Sequence, residues 1–387
     1  MKRNIGILRL RHVCKMTLPL IILFFSASLW VHAQTWQNIL NANRDESYTS
    51  GMAVAGKYYA FGNTKSFSTP TGRINRLLFS SFTGNGQATF KAILDMSNDT
   101  VYNASDMQAG YQQFTATNNN EPVIGCNGNV CNTIANTLYP CKTTDDDNYF
   151  FMTGWFTVPP SLNAKMFVMK TRNDGSVVWS KTGIFSDAAG VESETGVSVE
   201  SCPNGDVVVV SKAVDATTGL IFPIVTRLDN KGKLVWRYSY RDDGSSPGGI
   251  ISFEPEQSVI FNEDLFGANN LSNPVGIAVT GQSITTAGTH LFAMRIGYNG
   301  ALLWRKIYKT VNEQVGFDIM CEDKSLGADA LHSEHFIITG LNDPNRTDTS
   351  KNNKTIIASI NTETGAFDKA WLIKATNPSY DLGIYAQ

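Results

Sequence analysis

The sequence predicts an all-β fold built from repeated antiparallel sheets, and three observations support this prediction. Of the 387 residues, 42% are hydrophobic, 11% aromatic and only 17% charged, which is enough apolar side chain for a large core. Glycine is abundant, with 32 residues, and Gly or Asn recurs in turn-like pairs between short β-rich runs. No amphipathic helical stretch of useful length competes with these runs.

A repeated unit makes the prediction specific. In each unit a tight turn containing Gly is followed by a strand with an aromatic residue, four positions after the Gly in four of the five copies. Two β-rich runs precede each turn, and the first of them often ends in Thr-Gly. The turn glycines and their aromatic residues are Gly86 with Phe90, Gly175 with Trp179, Gly232 with Trp236, Gly300 with Trp304, and Gly365 with Trp371.

A further β-rich run opens most units, as at residues 51–54, 196–199 and 316–319. Four antiparallel strands that recur every 57 to 68 residues predict a β-propeller of five to six blades. Residues 35–40 have the pattern of an isolated outer strand, and residues 380–386 that of a first strand without continuation. Two interpretations remain open: these ends pair in one shared blade that closes the ring, or the gene product ends early.

The units resemble the repeats of exported β-propeller proteins of Bacteroidota. The resemblance lies in runs such as residues 336–340, Phe-Ile-Ile-Thr-Gly, followed by a turn with Asp or Asn and Gly and then a strand with Trp. It covers most of residues 50–375 and implies the propeller fold. Many proteins of this group end in a sorting domain for type IX secretion, and none is recognised here after the last unit.

Residues 1–33 have the pattern of a signal peptide: five basic residues, an apolar run at 16–30 and a peptidase site before Gln34. We therefore predict a single propeller domain at 34–387, with insertions at about 95–147 and 241–273. Removal of the leader changes the net charge from −2 to −7, because it carries five Lys or Arg and no acidic residue. We expect a monomer in the periplasm, at the cell surface or secreted. It should not span a membrane, and it should not bind nucleic acid, which requires clustered Lys and Arg.

Few residues are candidates for a functional site. Trp155 directly follows Gly154, lies outside the repeat, and is predicted to contact a ligand by stacking on a sugar or peptide; a packed loop anchor is the alternative. Cys126 and Cys131 bracket a turn-like segment and are predicted to form a local disulfide in an oxidising compartment. No metal site is predicted at His332 and His335, because alternation along the following strand places them on opposite faces.

Catalytic patterns are weak in this sequence. Ser246 fits a Gly-x-Ser-x-Gly pattern, but Pro247 follows it and has no N–H for an oxyanion hole. No cofactor is predicted, and no carboxylate pair is singled out. The sequence therefore predicts an exported binding or interaction scaffold, for an unknown protein or glycan, without its own catalytic centre. The alternatives are a carbohydrate-active enzyme (glycoside hydrolase or lyase) using carboxylates on the propeller face, and a truncated member of a longer surface protein.

Overall fold

In the computed structural model, every regular element of the described residues is a β-strand. None of these residues belongs to a helix long and apolar enough to cross a membrane. The structure describes residues 46–54, 57–65, 68–69, 72–73, 75–94, 101–109, 111–112, 141–142, 149–158, 163–182, 190–202, 205–242, 251–261, 276–309, 313–321, 335–343 and 354–374.

The strands are short and follow one another closely along the chain. Their bounds are β1 (Glu46–Val54), β2 (Lys57–Thr64), β3 (Ser68–Thr69), β4 (Gly72–Arg73), β5 (Arg76–Phe82), β6 (Ala88–Leu94), β7 (Val101–Ala109), β8 (Tyr111–Gln112), β9 (Cys141–Lys142), β10 (Tyr149–Thr157), β11 (Lys165–Arg172), β12 (Val177–Thr182), β13 (Val191–Ser201), β14 (Val207–Asp215), β15 (Ile221–Leu228), β16 (Leu234–Ser239), β17 (Ser252–Phe261), β18 (Gly276–Thr285), β19 (Gly288–Gly297), β20 (Leu302–Tyr308), β21 (Glu313–Cys321), β22 (His335–Asp343), β23 (Lys354–Asn361) and β24 (Phe367–Lys374).

Five four-stranded antiparallel sheets contain most of these strands, and we call them blades 1 to 5. Their strand orders are β1-β2-β5-β6, β7-β10-β11-β12, β13-β14-β15-β16, β17-β18-β19-β20 and β21-β22-β23-β24. Within each blade the four strands are called inner, second, third and outer, in that order. The remaining strands form two small pairs, β3 with β4 and β8 with β9.

The inner strands pack against one another in chain order, with β7 between β1 and β13, and β17 between β13 and β21. Apolar clusters fill the space between successive blades, as where Val208 and Val210 of blade 3 pack with Phe292 of blade 4. Sheets that meet at their inner strands form a β-propeller, so the predicted fold is confirmed, with five blades in the described residues. The predicted pairing of the chain ends concerns residues 34–45 and 375–387, which lie outside the described residues.

Two inner strands fall within the ranges that the sequence predicts as insertions. The range 95–147 contains β7, the inner strand of blade 2, and the range 241–273 contains β17, the inner strand of blade 4. Both strands are hard to recognise because they carry buried polar residues, such as Asp106 and Ser258. These side chains form hydrogen bonds to the neighbouring blade. They stand at positions where an apolar residue would have indicated a strand.

Each inner strand has a β-bulge at which one extra residue faces the second strand. The bulged residues are Thr49, Ser105, Val197, Glu256 and Phe317. The bulge explains the Gly of the Thr-Gly motif, because a Cβ on Gly154 would lie only 2.0 Å from the carbonyl oxygen of Asn103. Gly62, Gly281 and Gly340 have equally close backbone oxygens, whereas Ser211 occupies this position in blade 3.

The outer strands explain the Gly and Trp of the repeat. Trp236 of blade 3 donates a hydrogen bond from Nε1 to the carbonyl oxygen of Tyr298 in the next turn, at 3.0 Å. Arg227, opposite Trp236 in the third strand, donates to the same oxygen at 3.5 Å. Blades 2 and 4 repeat this two-donor contact, which we call the latch. Trp179 and Lys170 donate to Asn230, and Trp304 and Arg295 donate to Thr362.

Candidate ligand-binding site

The upper end of the propeller, as we define it, is the end at which the second strands stop and the inner strands begin. One register position at this end directly follows the residue that faces the inner-strand bulge. Its occupants in blades 1 to 5 are Asn63, Trp155, Lys212, Gln282 and Leu341. The repeat therefore places five different side chains at one level of five consecutive blades.

Two of these side chains bridge their blade to the next. Asn63 donates from Nδ2 to the carbonyl oxygen of Tyr102 at 3.0 Å, and its Oδ1 accepts from the amide of Ala104 at 3.0 Å. The Lys212 Nζ lies 3.8 Å from Oε2 of Glu254 in blade 4. This register position thus faces the inner strand of the following blade.

Trp155 differs from the latch tryptophans in its hydrogen bonding. It lies near the end of β10, is half-buried, and pairs with Met166, which packs into the cluster between blades 2 and 3. The indoles of Trp179, Trp236 and Trp304 all donate to a backbone carbonyl. No such bond is recorded for Trp155 among the described residues. Among the described residues, Trp155 therefore does not share the carbonyl contact of the latch tryptophans, and it is partly exposed near the upper end.

Three polar side chains from blades 3 and 4 meet beside this level. Gln282 Nε2 donates to Glu254 Oε2 at 2.7 Å, and Lys212 Nζ lies 3.8 Å from the same oxygen. The side chains of Lys212 and Glu254 are 32% and 13% exposed, so the group reaches the surface. Gln282 is only 7% exposed, and its buried Oε1 accepts no hydrogen bond from the residues that the structure describes. We call these three residues the polar triad.

Most buried carboxylates near the inner strands of blades 3 and 4 are paired with cations. Glu194 accepts from Arg237 at 2.7 Å and also from the hydroxyl of Ser211. Asp206 is bound by Arg227 and accepts from Tyr298 Oη at 3.2 Å. Both carboxylates are engaged in these contacts within the protein, so they suit structural roles better than catalysis.

Asp106 is a fully buried carboxylate on the inner strand of blade 2, and it joins three blades. Its Oδ1 accepts from Ser50 Oγ of blade 1 at 3.0 Å and from the Met107 amide at 2.8 Å. Its Oδ2 accepts from the Val199 amide of blade 3 at 2.9 Å. Burial raises the pKa of Asp106 to about 6, although these hydrogen bonds oppose the rise. Because the group is sealed within the inner strands, its role is structural.

The other sequence candidates lie elsewhere or outside the described residues. Cys126, Cys131, His332 and Ser246 fall outside them, so the disulfide remains a prediction. His335 begins β22, and its Nε2 lies 3.9 Å from Asp368 Oδ2 of the outer strand of blade 5. Within the described part of the chain, no group of three His, Cys, Asp or Glu residues is arranged to hold a metal ion.

Sequence reasoning selected Trp155 but missed the polar triad. A positional signal existed, because Trp155, Lys212 and Gln282 each directly follow the Gly or Ser that faces the bulge. No sequence pattern indicated Glu254. It lies in a range predicted as an insertion, and its partners come from strands far away in sequence.

No protein-family model matches the chain, and no curated protein matches it. Among solved structures, an apocarotenoid oxygenase mutant from Synechocystis is similar at 10% identity and a TM-score of 0.41, over 86% of this chain and 61% of the oxygenase. A glycoside hydrolase of family 32 from Bifidobacterium adolescentis is similar at 7% identity and a TM-score of 0.38, over 86% of this chain and 57% of the hydrolase. The chain thus spans about three fifths of either protein.

An exo-1,5-alpha-L-arabinanase from a bovine ruminal metagenomic library is similar at 8% identity and a TM-score of 0.36. That match covers 87% of this chain and 99% of the arabinanase. All three likenesses concern the fold alone. The assignment of this chain as a β-propeller rests on its own five blades.

Proposed function

We propose that the protein is an exported β-propeller scaffold that binds a glycan or protein ligand at its upper end, without its own catalytic centre. The observation that carries this proposal is Trp155, a half-buried indole that makes no hydrogen bond to the described residues, at the same level as the polar triad. Aromatic side chains with a free polar edge are frequent contributors to binding surfaces. Glu194, near the start of the inner strand of blade 3, is held by Arg237 and Ser211, which supports binding rather than proton transfer.

A binding screen tests this proposal. The full chain is screened against glycans and protein fractions, and each hit is measured again with Trp155→Ala and with Trp371→Ala as the matched control. Trp371 is 47% exposed on the outer strand of blade 5, at the sheet edge and not at the register position of Trp155. Trp155→Ala should weaken binding at least tenfold, and Trp371→Ala should leave it unchanged. Equal effects of both variants would contradict the assignment of the site.

The second candidate function is a carbohydrate-active enzyme. Glu254 is the observation that favours it, because this carboxylate is partly exposed at the same end of the propeller. The same preparation is therefore incubated with each glycan that it binds, and new reducing ends or unsaturated products are measured. Turnover that Glu254→Gln abolishes would replace the scaffold proposal with the enzyme.

Export is part of the proposal and has its own test. Expression of the full chain in a bacterium with a periplasm should yield a protein that begins at Gln34. N-terminal sequencing of the exported fraction checks this cleavage. Mass spectrometry of the unreduced protein should show the peptides of Cys126 and Cys131 linked by a disulfide. An uncleaved, cytoplasmic product with reduced cysteines would contradict export.

A further inference from the structure

The polar triad offers an unusual combination of groups to a ligand. Gln282 Nε2 donates to Glu254 Oε2, and Gln282 Oε1 is an acceptor without a donor among the described residues. Oε1 of Glu254 has no recorded hydrogen bond among the described residues and can also accept. Lys212 Nζ, on a side chain that is 32% exposed, supplies donors. A ligand at this position must therefore provide at least one donor for Gln282 and can both donate and accept beside it.

A buried acceptor without a donor is rare in folded proteins, because leaving it unpaired costs stability. Gln282 is more than nine-tenths buried, and within the described part of the chain its side chain hydrogen-bonds only to Glu254. Lys212 and Glu254 are the partly exposed members of the triad, so a ligand group would enter between them. A donor that reached Gln282 Oε1 would relieve the unpaired acceptor, which gives binding a specific reason at this place.

Charge decides between the ligand classes. Lys212 and Glu254 together carry no net charge, so the triad attracts neither sign strongly. A carboxylate or sulfate cannot donate to Gln282 and is repelled by Glu254, whereas an ammonium group is repelled by Lys212. A hydroxyl group both donates and accepts without a charge. Two neighbouring hydroxyls satisfy the triad if one donates to Gln282 and the other donates to Glu254 and accepts from Lys212.

We propose that the upper end binds a neutral, hydroxyl-rich oligosaccharide, with the polar triad holding a pair of hydroxyls and Trp155 stacking on a sugar ring. This inference rests on the proposed function and names its ligand class. Packed sheets lie about 10 Å apart, so Trp155 and the triad, which belong to successive blades, require a ligand of more than one sugar ring. The apolar face of a sugar ring fits the indole, and its hydroxyls fit the triad.

The test uses the full chain on an array of neutral, uronate-containing and sulfated oligosaccharides, together with acidic and basic peptides. A neutral oligosaccharide that binds is then titrated by calorimetry. Gln282→Met removes the buried acceptor at similar volume and should weaken binding about tenfold, the value of one hydrogen bond. Lys212→Met, at a partly exposed site, should weaken it similarly. Lys369→Met is the matched control, because Lys369 is 61% exposed on the outer strand of blade 5.

A charge-changing variant sharpens the test. Glu254→Gln leaves Lys212 without its carboxylate, so the preference should shift toward uronate-containing oligosaccharides. Circular dichroism shows whether each variant folds, and Lys212→Met carries the test if Gln282→Met does not. Preferred binding of charged glycans or peptides by the unchanged protein would overturn this inference. The inference would also be overturned if Trp155→Ala abolished binding of a neutral ligand while Gln282→Met and Lys212→Met both retained it. That result would still support the scaffold proposal. Binding to no glycan or protein would overturn both.

Discussion

At the scale of single residues, the Thr-Gly motif is a steric requirement of the inner-strand bulge. The carbonyl group of Asn103 turns toward β10 at the bulge and occupies the space that a side chain on Gly154 would need. The same approach recurs at Gly62, Gly281 and Gly340. A pattern that looks like a turn signal in sequence is therefore a close backbone contact inside a sheet.

We expect Gly154→Ala to destabilise the protein by about 3 kcal/mol, because the new Cβ would meet backbone rather than a movable side chain. Gly51→Ala is the matched control, since the nearest atom to its Cβ is 3.4 Å away. Urea unfolding of both variants measures the difference. Similar midpoints for the two variants would show that the bulge relaxes to admit a side chain.

Asp106 gives a prediction for pH. Its pKa is about 6 in the folded protein, above the usual value of 3.8, so between these values the folded state holds a proton that the unfolded state releases. The contribution of this group to stability is complete below pH 3.8 and is lost as the pH rises through 6. The loss is on the order of 3 kcal/mol between pH 4 and pH 7. Urea unfolding across this range should show the decline, and Asp106→Asn should flatten it. A rise with pH would mean that the amides of Met107 and Val199 outweigh burial.

At the scale of elements, the outer strand of one blade and the turn of the next blade form one structural unit. The indole and the basic side chain opposite it converge on one carbonyl oxygen, and the turn glycine allows the indole to approach. A Cβ on Gly232, which has φ +77°, would lie 3.0 Å from Trp179. Blade 5 departs from this pattern, because Lys369 pairs with Ser359 where a Trp pairs with Lys or Arg in blades 2 to 4. Trp371 is two residues further on and is exposed.

The latch predicts that Trp236→Phe costs about 1 to 2 kcal/mol, because the ring stays but its hydrogen bond to the carbonyl oxygen of Tyr298 is lost. Trp371 makes no latch contact to the described residues, so Trp371→Phe should change the free energy of unfolding by less than about 0.5 kcal/mol. Chemical denaturation of the two variants makes the comparison. Equal losses would mean that the ring, and not its N–H, holds the blades together.

At the scale of the whole molecule, hydrogen bonds join neighbouring blades both near the centre and at the outer strands. Near the centre, Asp106 connects blades 1, 2 and 3, and a hydrogen bond of 2.8 Å between Ser198 and Ser258 connects blades 3 and 4. At the outer side, the latches connect blades 2 to 3, 3 to 4 and 4 to 5. Within each blade the strands are joined by contacts that are local in sequence. The contacts at the centre and at the outer side join successive blades to one another.

We expect the latches to contribute additively to the free energy of unfolding. Trp236→Phe and Trp304→Phe remove bonds to different turns with no shared partner, so the double variant should lose the sum of the single losses within about 0.5 kcal/mol. One unfolding transition should persist, and two optical probes followed through denaturation measure this. Separate transitions for the two probes would show that blades unfold one at a time once the latches are removed.

The sequence predicted the elements well, and it named one of the four residues of the candidate site. Spacing identified the outer strands and their turns because Gly and Trp must recur wherever the latch recurs. It did not identify β7 and β17 as inner strands, since their buried polar residues resemble loop composition. Trp155 was found as an exception to the repeat, but Glu254 and Gln282 were not found, because their meaning depends on partners in space.

By itself, the sequence determined the all-β class, the four-stranded repeat and the turn chemistry, because these depend on contacts between residues close together in the chain. Only the tertiary structure decided which polar residues bond across blades, which carboxylates are paired with cations and which acceptor stays unpaired. Those properties depend on neighbours that lie 28 to 93 positions apart, as in the bonds from Gln282 to Glu254 and from Val199 to Asp106. Local patterns carry no record of such pairs, and the ligand-binding site that we propose depends on them.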